Sequence, residues 1–267
     1  MEDTNEDFAP TAAIVAVGKT DATLLESLGR AVPYADSENL KLVSVDSSIP
    51  SKSVDDVIRE TQLVMVNIDL SSEIDVEEAF RVARVAKGGG VNILSIVVAV
   101  SRNVGDSQGG DLSKLKELFD TVIIVDRDTN RDLTLDRVVD TNKAILDLVM
   151  VHGLICIDLA DVKSLLGGAE SVAIGAGIST GKSDIALEAA KIAVESINER
   201  FGRELLPING LLITFTAGPE IRLLEISIAH EYINNAFLVD NESVNVIFGA
   251  NIEEDSESAK VVIIAVN

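Results

Sequence analysis

The stretch Gly153–Asp161, GLICIDLAD, holds two acids whose spacing suits chemistry: Asp158 and Asp161 stand three residues apart. If the segment enters a helix, that spacing sets both carboxylates on one face, and in a tight loop it brings them together. Two such carboxylates can hold a cation or orient a water against a phosphoryl group. The plainer reading is a polar loop that caps the next helix, with Asp161 as the capping carboxylate. A second group is Gly18-Lys19-Thr20, which ends like a phosphate-binding P-loop. That motif needs a glycine five residues before Gly18, and Ala13 stands there inside a strand-like run. Lys19 remains a candidate anion contact. His152 and His230 have no third ligand near them in sequence, and Cys156 has no CxxC partner, so no transition-metal site is expected.

The elements that must position these residues follow from the hydrophobic pattern. Residues 1–11 are charged and poor in packing groups, which predicts a disordered arm. Strands are expected over 12–17, 40–45, 63–70, 91–100 and 121–126, with helical patterns between them. Residues 75–86 have helical spacing and stop at Gly88-Gly89-Gly90. A polar loop is expected over 101–112 and a helix over 113–119. Strands alternating with helices imply an α/β parallel sheet, and the uninterrupted apolar run 91–100 fits a strand covered on both faces. A helical segment runs from Leu133 to Val151 into GLICIDLAD. Beyond Gly167-Gly168 come strand 171–177, helix 183–199, strand 210–218, helix 222–236 and strands 243–252 and 259–267. This half reads as α+β, its final two strands as a hairpin joined by the acidic EEDSES loop.

Composition narrows the function. The 267-residue chain is long enough for one large domain or two linked ones. Its net charge of −22 argues against nucleic-acid binding, which needs clustered Lys and Arg. Both a high-salt cytoplasm and an ordinary acidic protein are consistent with that charge. No apolar run is long enough to span a bilayer, the acidic start is unlike a signal peptide, and the lone Cys156 fits a reducing compartment. These features point to a cytoplasmic globular protein without direct membrane insertion.

From GLICIDLAD onward, and more loosely from residue 113, the chain resembles FtsZ, the prokaryotic branch of the tubulin superfamily. GLICIDLADVKSLL is similar to the family's synergy-loop motif, Gly-Leu-x-Asn-x-Asp-Phe-Ala-Asp-Val. AIGAGIST-GKSDIALEAAKIAV resembles the strand, glycine turn and helix that follow it, and GLLITFTAGPEIRLLEI with VNVIFGANIEED the last helix and strands. The resemblance implies a GTP-binding α/β domain, here over 12–132 and truncated, a long central helix over 133–152, and an α+β domain over 153–267. It also implies head-to-tail stacking, in which synergy-loop carboxylates act on the nucleotide and metal held by the neighbouring subunit. Asp158 and Asp161 fall on those positions, whereas the motif's Asn is Cys156, and a thiol cannot supply an amide's hydrogen bonds.

The first half departs from the family pattern. The resemblance asks for two glycine-rich loops, so that backbone N–H groups approach phosphate without a Cβ in the way. The first is Gly18-Lys19-Thr20-Asp21-Ala22-Thr23, with one glycine kept. The second, in place of Gly-Gly-Gly-Thr-Gly-Thr-Gly, is Leu70-Ser71-Ser72-Glu73-Ile74-Asp75. Glu73 and Asp75 suit a bare helix N-terminus and repel a triphosphate. Only about fifteen residues, 47–62, replace a longer insert that folds over the nucleotide. Asp136 keeps the spacing of the family's guanine-recognising carboxylate, but equally suits a solvated first helical turn, and Arg127 stands about where a polar amide would meet the base.

Three readings follow. The first is a pseudo-GTPase that docks its Asp158/Asp161 face on a GTP-binding family member, or on another copy, and caps or modulates a filament. The second is a self-polymerising GTPase with a divergent pocket that still takes GTP and Mg2+, with Gly18, Lys19 and Asp136 as cofactor contacts. The third is a nucleotide-independent scaffold. Many family members carry a terminal peptide for membrane tethers; the chain ends on its last strand, so anchoring by such a tail is not expected.

Overall fold

The computed structural model describes residues 10–18, 21–45, 51–88, 93–101, 110–151, 153–155, 157–169, 172–181, 183–201, 208–237 and 244–267. The chain divides into two compact units, Met1–Asp147 and Leu148–Asn267.

The first unit is built from β1 (Ala12–Val17), α1 (Asp21–Ala31), β2 (Leu40–Val45), α2 (Ser51–Arg59), β3 (Leu63–Asp69), α3 (Glu73–Gly88), β4 (Leu94–Ser101), α4 (Gly110–Leu118), β5 (Thr121–Asp126) and most of α5 (Arg131–Met150). Its five strands lie parallel in the order β2-β1-β3-β4-β5. Burial on both faces explains the continuous apolar runs. On one face Val15, Val66 and Val97 pack with Ile58 of α2, Ala79 and Val82 of α3 and Leu115 of α4. The other face carries α5, tied to β3 by a buried reciprocal amide pair. Asn67 donates to Asn142 at 3.1 Å, and Asn142 donates to Asn67 at 2.7 Å and to the Val138 carbonyl at 2.8 Å. Two buried amides satisfied by each other fix the helix at one axial position on the strand.

Thr11 does not belong to a free arm. Its carbonyl accepts from the Gln62 and Leu63 N–H groups at 2.8 and 3.1 Å, so the sheet begins to hold the chain there; residues 1–9 lie outside the described residues. Helix α4 begins at Gly110 and β4 includes Ser101, so the expected 101–112 loop is shorter, and its 102–109 part lies outside the described residues.

The second unit contains α6 (Leu159–Leu166), β6 (Val172–Thr180), α7 (Ile185–Phe201), β7 (Gly210–Ala217), α8 (Leu223–Phe237), β8 (Asn245–Ile252) and β9 (Ser258–Val266). The sheet order is β6-β9-β7-β8, which overturns the expected terminal hairpin. β9 runs antiparallel to both β6 and β7, and β8 lies parallel to β7 on the far side. Burial explains the outcome: from Val261 to Val266 every residue of β9 is buried, as a central strand demands, while β8 begins exposed and half-buried, as an edge permits. Helix α7 approaches β6 closely because both sides are small. A Cβ on Gly177 would stand 2.0 Å from the Ala189 carbonyl oxygen, and Ala186, Ala189, Ala190 and Ala193 face the sheet fully buried. Among the described residues no helix is long and apolar enough to cross a membrane.

Candidate functional site

Each unit holds one candidate site. In the first, the route from β1 to β2 and back past β1 to β3 makes a topological switch point between β1 and β3, where open α/β sheets bind ligands. A cavity of about 410 Å³ opens there. Ala16, Asn67 and Val98 are register partners across three strands and form one row of its floor. Leu24 of α1 and Leu135 and Val138 of α5 supply apolar walls.

Its rim is charged, with Asp69, Arg127, Asp128 and Arg131 lining it. Asp69, at the end of β3, forms an ion pair with Arg127, which follows β5. The Asp69 carboxylate also accepts from the Ser71 N–H at 2.9 Å and the Ser71 hydroxyl at 2.7 Å. Burial alone would raise the Asp69 pKa, but the hydrogen bonds from Ser71 and Arg127 outweigh it and hold it below the ordinary carboxylate value. Asp128 pairs with Arg137 at 3.2 Å. The Arg127 Nε is buried and has no acceptor among the described residues.

Next to the cavity, just after β1, Gly18 lies against Asp75 of α3. Gly18 has φ +87°, a conformation that favours glycine, and a Cβ there would stand 2.6 Å from Asp75 Oδ1. Asp75 is 5% exposed. It accepts from the Asp69 N–H at 3.2 Å and the Ser72 hydroxyl at 2.6 Å, and its own N–H donates to Ser72 Oγ at 3.3 Å. Ser72 thus caps α3, its hydroxyl accepting from the Asp75 N–H and donating to the Asp75 carboxylate. The space beside Gly18 is filled by the Asp75 carboxylate. An anion set there would face the Asp75 carboxylate, with Glu73 in the same helical turn.

In the second unit, the loop before α6 lies flat on β8. Ile155 and Ala250 exchange backbone hydrogen bonds at 3.3 and 3.2 Å as an antiparallel bridge. Two glycines permit this approach. A Cβ on Gly153 would stand 2.1 Å from the Ala250 oxygen, and one on Gly249 would stand 3.0 Å from Ile157 Cδ1. The loop delivers Asp158 to the start of α6, whose other side is anchored by buried Val162, Leu165 and Leu166. Asp158 is the N-cap and accepts from the Ala160 N–H at 3.1 Å. The capping carboxylate is therefore Asp158 and not Asp161, because Asp161 already lies in the first helical turn, donating its N–H to the Asp158 carbonyl at 3.0 Å. Both acids are exposed, and Leu154 in the preceding loop is 57% exposed.

The other expected residues fare differently. Gly18 ends β1 against Asp75, whereas Lys19, His152 and Cys156 lie outside the described residues. Asp136 is exposed and does not line the cavity; Arg131, Thr134, Leu135 and Val138 do, at the spacing of one helical face. Sequence reasoning missed the Asp69–Arg127 pair. Its signal was a charge at the C-terminal end of one parallel strand and an opposite charge just after another.

No protein-family model matches the chain. Its structure is similar to that of FtsZ from M. jannaschii, solved as an empty dimer, with a TM-score of 0.74 and 18% identity over 98% of this chain and 89% of that one. CetZ from Methanosaeta thermophila gives a TM-score of 0.68 at 12% identity, covering 96% of this chain and 86% of that one. CetZ2 from Haloferax volcanii, solved as a GTPγS-bound protofilament, gives 0.65 at 14% identity over 96% and 93%. A parallel five-stranded sheet, a long helix and a second mixed sheet, aligned over nearly the whole chain, give this protein the tubulin/FtsZ fold.

Proposed function

We propose that the chain is an FtsZ-like cytoskeletal subunit of the cytoplasm that holds no GTP of its own. It docks head to tail on a GTP-binding FtsZ-family neighbour through the face carrying Asp158 and Asp161, and caps or modulates that neighbour's filament, a role of the cell-division type. The observation that carries the reading is the buried Asp75 carboxylate beside Gly18, where a phosphate would need bare backbone. Supporting the docking half, Asp158 and Asp161 are exposed at the start of α6, and the preceding loop, bridged to β8, carries the exposed Leu154. The similar M. jannaschii and H. volcanii proteins were solved as a dimer and a protofilament. On a neighbour's nucleotide the two carboxylates would position metal and water, a role that needs accessible, fixed acids.

The cavity over β1 and β3 favours the second reading, a GTPase with a divergent pocket, because a site-sized space survives at the switch point. Co-sedimentation with a GTP-binding family member tests the proposal. The chain is expected to change the partner's pelleted mass and hydrolysis rate, and the Asp158→Asn/Asp161→Asn double variant to lose the effect on hydrolysis. No effect on either quantity would remove the capping role and leave a nucleotide-independent scaffold.

A further inference from the structure

We propose that the outer edge of β6, with α7 lying over it, is a docking surface for a second copy of this chain, the two β6 strands pairing antiparallel about a two-fold axis near Gly177. The contact needs no nucleotide and uses no residue of the Asp158/Asp161 face.

β6 is an edge strand, bonded to β9 on one side, and among the described residues no strand pairs with its other side. Such edges are normally blunted by charge, proline or short length. β6 has none of these devices: VAIGAGIST runs nine residues with no charged side chain and no proline, in a chain of net charge −22. An exposed isoleucine flanks the edge on each face. Gly177 faces α7, so its neighbour Ile178 points to the opposite face of the sheet, where it is 56% exposed. Ile192 of α7 is 45% exposed and stands level with Gly177, on which a Cβ would lie 2.8 Å from Ile192 Cβ.

The edge complements itself, which selects a second copy. With the axis at Gly177, Ile178 of each copy lies opposite the small Ala176 of the other, on the face away from α7. On the α7 face the two glycines meet, and the two Ile192 side chains close over them. A contact in which the same patch serves both partners closes at two chains. Charge favours the same place, since two chains of net charge −22 repel each other and β6 adds nothing to that repulsion. Glu199, two turns from Ile192 on the same side of α7, is exposed at the rim, so salt strengthens the contact. A strand edge about 30 Å long with a helix stacked over it, about 20 Å deep in all, covers about 600 Å² per copy. The total of about 1,200 Å² is the lower end of what stable interfaces bury, which suits a reversible dimer of micromolar affinity.

Sedimentation equilibrium of the full chain without nucleotide, at low and at high potassium chloride, reads the contact. A reversible dimer is expected, with a dissociation constant that falls as salt rises and no growth beyond two chains. Ile178→Lys and Ile192→Lys replace exposed side chains and leave the core intact, and each is expected to weaken the dimer about tenfold or more. In a Cys156→Ser background, a short bismaleimide is expected to link two chains through Ile192→Cys. A monomer at every concentration and salt, oligomers that grow past the dimer, or a dimer unchanged in both lysine variants would each overturn the proposal. So would a chain that stays monomeric but binds an extended apolar peptide at Ile178, which would assign the edge to a foreign strand. Because neither a partner nor a nucleotide is present, failure here leaves the head-to-tail reading standing.

Discussion

Asp158 has two physical roles that a single substitution would confuse. As N-cap its side chain satisfies an otherwise orphan N–H of α6, and as an exposed acid it is available to a neighbour's metal or water. Asp158→Ala should lower stability by about 0.5–2 kcal/mol, while Asp158→Asn, an equally good cap, should be nearly neutral in thermal unfolding. If the acid acts on a neighbour's nucleotide, both variants should lose that effect alike, because Asn keeps the hydrogen bond to the helix but not the charge. Asp69 makes the corresponding case in the other unit. Its pKa in the folded chain lies below its unfolded value, so its stabilising effect is full above the ordinary carboxylate range near 3.9 and fades as pH falls through the lower folded value. Asp69→Asn should therefore flatten the acid limb of the stability–pH curve measured by urea unfolding. An unchanged acid limb would mean that the pair with Arg127 contributes nothing.

At the scale of elements, the backbone bridge from Ile155 to Ala250 and the packing of Ile155 on the core of the second unit hold the chain just before Asp158. Gly153→Ala would drive a methyl into the Ala250 carbonyl, and should cost about 1–3 kcal/mol in chemical denaturation or shift the loop off β8. A variant that keeps full stability and full effect on a partner would show that the bridge does not position the acid. Single elements were largely legible in the sequence. The 121–126 strand is found at its expected bounds, and α5 lies within two residues of its expected start, since long apolar runs and helical periodicity mark local structure directly. Pairing was less legible. The EEDSES loop invited a hairpin, but β9 joins β6 and β7, partners far away in sequence. The warning lay in VVIIAV itself: a strand apolar at every position wants neighbours on both edges and cover on both faces. The acidic first turn of α3, Glu73 and Asp75, was legible as a helix N-terminus. The candidate site was not legible where function depends on which strand ends meet, as with Asp69 and Arg127.

For the molecule as a whole, the net charge of −22 sets the conditions of any assay. Self-repulsion of that size weakens both folding and docking at low ionic strength, so added potassium chloride should raise the melting temperature through screening alone. A melting temperature that falls with salt would mean that the acidic surface is offset by ion pairs such as Arg81 with Asp55 and Glu78 more than it repels itself. Whether the chain holds a nucleotide is decided by purifying it natively in magnesium and measuring guanine nucleotide per chain together with GTP turnover. A subunit without GTP of its own should show essentially no bound nucleotide and no turnover by the chain alone. Stoichiometric guanine nucleotide, with turnover lost on Asp158→Ala, would contradict it.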